Sequence, residues 1–261
     1  MSYDLMLFDE SKAPKFYGDF LEWMSEKTQW KEDRDYNSTN GTSPQLVSWF
    51  METKEMFPPL NGEYSLSDGE AFANAEIENH LTDYSIGSDM IYAAVGWSVA
   101  EEADRLMSQL AGKHGLGLYN PQTGEMHSDT MVLCKIRTES HDDRIVVWEH
   151  IEEAIQTLDD PARGTTYRDA AFMTMFFERN NTDGEFMQCM PVYPKPQGFF
   201  KKLSGASTNT PITEYTVEVC TKEKIYEKRV TGKEQLMKIM HDYYKHRRSP
   251  DTSSWIDSGV I

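Results

Sequence analysis

The stretch MIYAAVGWSVAEEADRLMSQLAGKHG, residues 90–115, gives the clearest indication of fold in this chain of 261 residues. Its first eight residues are apolar, and several are small, a run that is typical of a buried strand. Ser98 and Glu101 follow with the spacing of a capping box, which marks the start of a helix. Gly115 is suited to end that helix. The stretch therefore predicts a strand followed by a helix with a buried stripe of Ala103, Leu106, Met107 and Leu110.

The rest of the N-terminal half predicts a compact α/β module over residues 1–130. Ser43-Pro44 pairs an N-cap residue with a proline at the first helical position, and Pro58-Pro59 ends the helix between them. Residues 60–80 are expected to form an acidic loop. The other expected elements are strands at Tyr3–Phe8 and Leu116–Tyr119 and an aromatic-faced helix over Phe16–Trp30.

The C-terminal half predicts an α-β-β-β-β-α module over residues 145–250. Tyr215, Val217 and Val219 alternate with polar residues, which indicates a sheet with one buried and one solvated face. Thr231 and Glu234 have the spacing of another capping box, which opens a final helix. The elements before it are a helix over Trp148–Leu158, a hairpin of Ala170–Glu178 with Glu185–Tyr193, and a second pair of strands at Glu214–Cys220 and Lys224–Val230.

These patterns predict an α+β protein with two small α/β modules, each a mixed or antiparallel sheet covered by helices. The boundary is expected between Asp129 and Arg144, where TESHDDR is polar and has few core-forming residues. The charge is also divided, because residues 1–190 carry a net −21 whereas residues 195–248 carry +6. Two differently charged modules are the simplest interpretation.

The fifty residues from Glu55 to Asp104 contain no Lys or Arg but eleven Asp or Glu. A surface of one sign repels itself, yet it steers a cationic partner into encounter. The alternative is a solvated linker whose acids promote solubility, with its aromatic residues in the core. If the stretch binds a partner, the predicted contact residues are Glu63, Tyr64, Asp68, Glu70, Glu76, Glu78, Asp83, Tyr84 and Asp89.

The composition of the chain limits the classes of partner that it is expected to bind. A net charge of −17 disfavours nucleic acid and anionic membrane surfaces, which bind clustered Lys and Arg. No apolar stretch approaches the roughly 18 residues of a membrane span, and MSYDLMLFDESKAPKF lacks the basic start of an export signal. Three cysteines without a CxxC pair indicate buried thiols rather than disulfides or zinc ligands. The expectation is a cytoplasmic protein that binds a basic protein partner and needs no cofactor.

Catalytic signals are weak. Asp83–Gly87, DYSIG, could line a small anionic or nucleotide pocket, although a tight turn into a strand is the favoured interpretation because Asp, Ser and Gly suit turn geometry. His80 with Asp83 and His127 with Asp129 are possible metal-binding pairs, but both lack a third spaced ligand. His150 and Glu153 share a helix face and could bind a metal or act as acid and base, although a solvated polar face is the favoured interpretation. The GxSxG, HExxH, P-loop and GxGxxG motifs are absent. We therefore predict a non-enzyme, with no catalytic residues and no metal site.

Several segments resemble a known class of proteins. In the first 120 residues, FLEW, SPQLVSWF, FPPLNG, DYSIG, IYAAVGWSVAEEA and KHGLGLYN are similar to the N-terminal module of bacterial proteins that are often encoded near toxins. In the second half, WEHIEEAIQTLD, FMTMFFE, EYTVEVC and VTGKEQLMKIMHDYY resemble small immunity modules of polymorphic toxin systems. The resemblance implies a two-module immunity protein that binds its cognate toxin domain and occludes the toxin's active site.

Two other functions stay open. The first is a hydrolase that reverses toxin damage or acts on a nucleotide, which predicts that removal of one or two carboxylates abolishes protection but leaves toxin binding intact. The second is a regulatory module that binds a basic partner other than a toxin. Occlusion instead predicts that protection and complex formation fail together.

Overall fold

The computed structural model describes residues 2–141, 144–160, 171–178, 184–193, 211–221 and 224–260. The chain divides into two compact units, residues 1–131 and residues 132–261. Each unit contains one sheet, and all neighbouring strands described in either sheet are antiparallel. The predicted α+β class is confirmed.

The first unit is built on a five-stranded sheet of order β2-β3-β1-β4-β5. The strands are β1 (Tyr3–Phe8), β2 (Asp83–Ile86), β3 (Met90–Val95), β4 (Gly117–Asn120) and β5 (Glu125–His127). The helices are α1 (Tyr17–Lys27), α2 (Pro44–Thr53), α3 (Asp68–Ala71), α4 (Ala75–His80) and α5 (Ala100–His114).

Successive side chains of the central strand β1 point to opposite faces of the sheet, so the unit has an apolar core on each face. Leu5 and Leu7 join the buried cluster that includes residues of α2 and α5. Phe8 points to the other face, where its ring lies 4.8 Å from that of Phe20 on α1. A Cβ on Gly117 would lie 2.1 Å from Cζ of Phe8, so only glycine allows β4 to pass beside this ring.

The helix ends differ in part from those expected. Gly115 ends α5 at φ 66° as predicted, but the Ser98 capping box does not form. Trp97–Val99 is a short 3-10 helix and α5 begins at Ala100, so Ser98 already lies inside a helical turn. Pro44 opens α2 as predicted, whereas the hydroxyl of Ser43 donates to Asp9 at 2.7 Å instead of capping the helix.

The second unit has a seven-stranded sheet of order β12-β11-β10-β9-β8-β6-β7. Its strands are β6 (Leu133–Thr138), β7 (Arg144–Ile145), β8 (Met173–Glu178), β9 (Phe186–Pro191), β10 (Glu214–Cys220), β11 (Lys224–Thr231) and β12 (Ile256–Val260). Its helices are α6 (Trp148–Gln156) and α7 (Lys233–His246).

The second unit extends beyond the predicted range of 145–250. The division between the units falls between residues 131 and 132, within the predicted range of Asp129 to Arg144. Most of that range belongs to the second unit, because β6 pairs with β8 over six residues and β7 adds an edge beyond it. On the other side, β12 pairs with β11. The predicted strands in this unit are present, although Ala170 and residues 179–183 of the hairpin turn lie outside the described residues.

The helix-facing side of this sheet follows the predicted alternation. Tyr215, Val217 and Val219 are buried on β10, and the ring of Phe177 on β8 packs against Tyr243 of α7. The Thr231 capping box does not form, because the N-cap of α7 is Gly232. Instead, the N–H of Thr231 donates to the side chain of Gln235.

Candidate functional site

Six of the predicted contact acids are exposed on residues 63–83 of the first unit, and we call the exposed part of these residues the acidic surface. These residues form α3, α4 and the first residue of β2 rather than one long loop. No described Lys or Arg forms an ion pair with any of the six acids. The six exposed carboxylates belong to Glu63, Asp68, Glu70, Glu76, Glu78 and Asp83.

Short polar contacts shape the two helices of the acidic surface. Glu70 accepts hydrogen bonds from the hydroxyl and the N–H of Ser67, at 2.6 and 3.1 Å, in a capping box that begins α3. These bonds lower the pKa of the Glu70 carboxyl. The side chain of Asn74 accepts the N–H of Ile77 at 3.0 Å and begins α4. Glu70 is therefore part of the helix cap as well as a surface charge.

His80 fastens the end of α4 to the rest of the unit. Its Nδ1 lies 2.7 Å from the carbonyl oxygen of Glu76 and its Nε2 lies 3.2 Å from the carboxylate of Glu102. Its ring packs on Phe57 with centroids 5.0 Å apart. Both ring nitrogens therefore lie within hydrogen-bond distance of an oxygen atom. His80 thus has a structural role in the first unit.

The acidic surface also exposes an apolar side chain. Phe72 follows α3 and is 62% exposed. Leu60 and Met56, earlier in the same chain segment, are about half exposed. A large aromatic ring among unpaired carboxylates can supply buried area in an interface whose rim is charged.

The structure corrects the predicted contact set at Tyr84. This residue is 5% exposed, because alternation along β2 turns it towards α2. Its hydroxyl donates to the carbonyl oxygen of Phe57 at 2.9 Å, and its ring packs edge-on against Phe50. Burial raises the pKa of Tyr84 far above its ordinary value. Tyr84 is a core residue and is not accessible to a partner.

Tyr64 and Asp89 are partly engaged within the first unit. The half-buried ring of Tyr64 packs on Phe50 at 5.9 Å and lies under the ammonium group of Lys54. Asp89 pairs with Lys27 at 3.1 Å, and its carbonyl oxygen accepts the N–H of Asp9. Asp89 therefore fastens a turn in place, and its charge is already compensated.

The DYSIG segment forms β2 and the turn after it. Asp83–Ile86 pair with β3, and the N–H of Gly87 donates to the carbonyl oxygen of Met90 at 2.8 Å. A Cβ on Gly87 would lie 3.1 Å from that same oxygen. The segment thus has the geometry of the turn and strand that the sequence offered as the alternative to a pocket.

Two of the candidate histidine pairs lie in different surroundings. His127 is exposed on β5, whereas His150 and Glu153 of α6 border a cleft of about 250 Å³ in the second unit. His150 accepts the N–H of Val147 on its Nδ1 at 3.3 Å, which supports the start of α6. The cleft is lined by Ile136, Thr138, Ser140, His141, Arg144, His150, Glu153, Ala154 and Thr157.

Potential metal ligands are not clustered in the part of the chain that the structure describes. There, no three His, Cys, Asp or Glu side chains are grouped so as to hold a metal ion. All three cysteines are buried as expected, and burial raises the pKa of the Cys134 thiol.

Trp97 is a surface residue that the sequence did not single out. The sequence predicts it as the end of a buried strand, but β3 stops at Val95 and Trp97 is 53% exposed in the 3-10 helix. Its ring contacts Tyr3 edge-to-face, with centroids 5.4 Å apart. Gly96, which precedes it, is the one sequence signal that the strand ends there.

Among the described helices, none combines the length and apolar character needed to cross a membrane. Comparison of the chain with protein-family models, with curated proteins and with solved structures found no match.

Proposed function

We propose that this protein is a cytoplasmic immunity protein that binds a basic toxin domain through the acidic surface and occludes the toxin's active site. The proposal joins an expectation from the sequence segments, which resemble immunity modules of toxin systems, with one observation. The first unit presents six exposed carboxylates that no described Lys or Arg pairs with. This observation carries the proposal.

Unpaired carboxylates favour a cationic partner for two reasons. They attract it over a distance, which raises the association rate at low salt. They also disfavour acidic competitors, because like charges brought together at an interface cost several kcal/mol. Many toxins that act on nucleic acid or nucleotides expose a cationic cleft, and an acidic surface can fill such a cleft and exclude the substrate.

Phe72 supplies the apolar component of the proposed interface. Interface affinity is concentrated in a few buried side chains, among which aromatic residues are prominent. Phe72 can be buried against a partner without unfolding either helix, because it is already largely exposed. The surrounding acids then form a charged rim that is sensitive to salt.

The test begins with capture of the partner by the purified full chain from a lysate of its own organism, at about 50 mM and about 500 mM salt, Debye lengths of about 14 and 4 Å. Bound proteins are identified by mass spectrometry, and the partner is then purified. Calorimetry is expected to give a one-to-one complex that weakens at high salt. Inhibition of the partner's toxic activity must follow the same stoichiometry.

Matched variants locate the interface. Glu76→Gln/Glu78→Gln removes two charges from the acidic surface, and Glu22→Gln/Glu26→Gln removes two from exposed positions on α1. The first variant is expected to weaken the complex about tenfold, which corresponds to about 1.4 kcal/mol, and the second less than twofold. Equal effects of the two variants, or a complex indifferent to salt, would place binding elsewhere. Loss of protection with binding intact would favour the hydrolase.

A further inference from the structure

Trp97 lies in a rigid corner at one end of the five-stranded sheet. Tyr3, which supports its ring, accepts a hydrogen bond from Nδ2 of Asn120 at 2.6 Å and donates to Oδ1 of Asp104 at 3.3 Å. Asn120 is only 1% exposed, and its side-chain oxygen accepts the N–H of Gln122 at 3.0 Å. The aromatic pair is therefore held in position by a buried amide.

The same corner is negatively charged. Burial raises the pKa of Tyr3, and the charges of Asp104 and Glu125 raise it further. Asp104 accepts from the Tyr3 hydroxyl, and Glu125 lies opposite Asn120, the donor to Tyr3, in the pairing of β4 with β5. We name Tyr3, Trp97, Asp104 and Glu125 the Trp97 corner.

The first unit already contains a cation held by this combination of groups. The Lys27 ammonium lies 5.7 Å from the centre of the Trp23 ring, 2.8 Å from Glu32 and 3.1 Å from Asp89. One indole ring and two carboxylates thus surround a single positive charge. Attraction to the ring face and to the carboxylates adds together at such a site.

The Trp97 corner has the indole ring and the two carboxylates but no described cation of its own. In the part of the chain that the structure describes, the cations that lie over aromatic rings lie over Trp23, Tyr64, Phe176 and Trp255. The ion pairs found there likewise include neither Asp104 nor Glu125. The corner thus offers an exposed indole ring and two carboxylates with no described cationic partner.

We infer that the Trp97 corner receives one arginine side chain of a basic protein partner. This inference rests on the proposed function and specifies one contact of it. Arginine fits better than lysine because a planar guanidinium can stack on the exposed indole and still direct N–H groups at a carboxylate. The Tyr3 hydroxyl already uses one oxygen of Asp104, which leaves the second oxygen to accept from the guanidinium.

The inference can be tested without the natural partner by NMR titration of the full chain with a defined probe. The probe is the capped pentapeptide Gly-Ser-Arg-Ser-Gly, compared with peptides that carry citrulline or lysine at the centre. Citrulline keeps the shape of arginine but has no charge. The indole N–H signal of Trp97, assigned with a Trp97→Phe variant, is expected to shift with the arginine peptide at roughly millimolar affinity.

Three comparisons decide the outcome. The citrulline peptide is expected to bind at least about tenfold more weakly, and Asp104→Asn is expected to weaken arginine binding by a similar factor. Glu22→Gln, on α1, serves as the control and is expected to leave binding unchanged. Equal shifts with citrulline, or full binding by Asp104→Asn, would overturn the inference, and equal affinity for lysine would overturn the choice of arginine.

The result is separable from that of the proposed function. If the peptide fails to bind but Glu76→Gln/Glu78→Gln still weakens capture of a basic toxin domain, the acidic surface stands and the Trp97 corner falls. If the peptide binds but no basic toxin domain is captured, the corner is a cation receptor and the immunity function is rejected.

Discussion

The first unit carries two helical layers that use their side chains in opposite ways. The α2/α5 layer buries Trp49, Phe50 and Met107 against the sheet. The α3/α4 layer buries little more than Ala71 and exposes Phe72. One layer supports the fold by removing apolar area from water, whereas the other is held mainly by caps and leaves its surface open to a partner.

The acidic residues of the two layers differ in whether their charge is compensated within the unit. Glu52 of α2 lies 2.7 Å from Lys113 and 3.0 Å from His114 of α5. The acids of α3 and α4 have no described cationic partner. Charge that is compensated within the fold contributes little to recognition, so the uncompensated layer is the one to examine for binding.

The largest expected contrast compares Trp49→Ala with Phe72→Ala. Trp49 is fully buried and its indole N–H donates to the carbonyl oxygen of Met107, so its truncation should cost about 3–5 kcal/mol of unfolding free energy. Phe72 is exposed, and its truncation should change that free energy by about 0.5 kcal/mol or less. Urea denaturation followed by far-UV circular dichroism measures both.

Phe72→Ala is expected to affect partner binding strongly, although it should barely change the unfolding free energy. It should weaken the captured complex by at least about 1 kcal/mol, because exposed aromatic residues gain most when a partner buries them. A loss of stability close to that of Trp49→Ala would show instead that Phe72 packs within the unit, and the contrast between the two layers would fail.

The second prediction concerns a compensated acid. Partial burial alone would raise the pKa of Glu32, but hydrogen bonds from Lys27 and Ser88 outweigh it and lower that pKa. Glu32→Gln should therefore cost about 1 kcal/mol at pH 7, after allowance for solvent screening. The exposed Glu22→Gln is the control and should change the unfolding free energy much less.

The pH dependence of this difference has a definite sign. A lowered pKa in the folded state gives stability that is present above the unfolded pKa, about 4.3 for Glu, and is lost as the pH falls through the folded value. The difference in unfolding free energy between the original protein and Glu32→Gln should shrink as the pH falls below about 4.3. A constant gap from pH 7 to pH 3 would mean that packing, rather than charge, explains it.

The sequence predicts the elements that have a complete local pattern and misses those that depend on distant partners. The apolar run of β3 and the Pro-bounded helix α2 were predicted because the signals for each lie in one short, continuous stretch of sequence. The pairing of β6 with β8 and of β12 with β11 joins segments about thirty or more residues apart. The sequence of β6, LCKIRT, contains two cations and only a short apolar pattern.

The candidate site was predicted only in outline. The exposed acids follow from composition, since a cation-free stretch cannot form internal ion pairs of its own. The burial of Tyr84 agrees with the alternative in which the aromatic residues of the stretch belong to the core. The sequence could not decide between the two, because the face of β2 that is covered depends on where α2 packs. Trp97 was missed because the 3-10 turn that exposes it replaced a capping box whose local sequence was favourable.

The third prediction extends the comparison of acids to a pair that repel one another. Glu218 and Glu227 are directly opposite on β10 and β11. Burial raises the pKa of Glu218, and the charge of Glu227 raises it further. Glu218→Gln should therefore stabilise the second unit by about 0.5 kcal/mol at neutral pH. Its oxygen can still accept the hydrogen bond that Gln188 donates to Glu218.

The pH dependence here runs opposite to that of Glu32. A raised pKa means that the folded protein holds the proton more tightly, so the original protein gains stability as the pH falls towards the unfolded value of about 4.3. The advantage of Glu218→Gln should be present at pH 7 and should diminish on acidification. Destabilisation by Glu218→Gln at pH 7 would show that the carboxylate is needed by the strand.

The smallest expected effect on stability belongs to Glu76→Gln/Glu78→Gln. Both side chains lie in the first turn of α4, where a negative charge is weakly favourable near the helix N-terminus. They also add to the mutual repulsion of the acidic surface, which favours their removal. These opposed terms should leave the unfolding free energy within about 0.5 kcal/mol of its original value.

The salt dependence of stability distinguishes the repulsion among the acids from their interaction with the helix N-terminus. The Debye length is about 10 Å at 0.1 M and about 3 Å at 1 M, so high salt screens repulsion among separated acids more than the contact of an acid with its own helix turn. The double variant should be relatively more stable than the original protein at low salt and lose that advantage at high salt, in urea titrations at both. A large loss at either salt would mean that these acids support the fold, and weaker partner binding by this variant could then no longer be assigned to the interface.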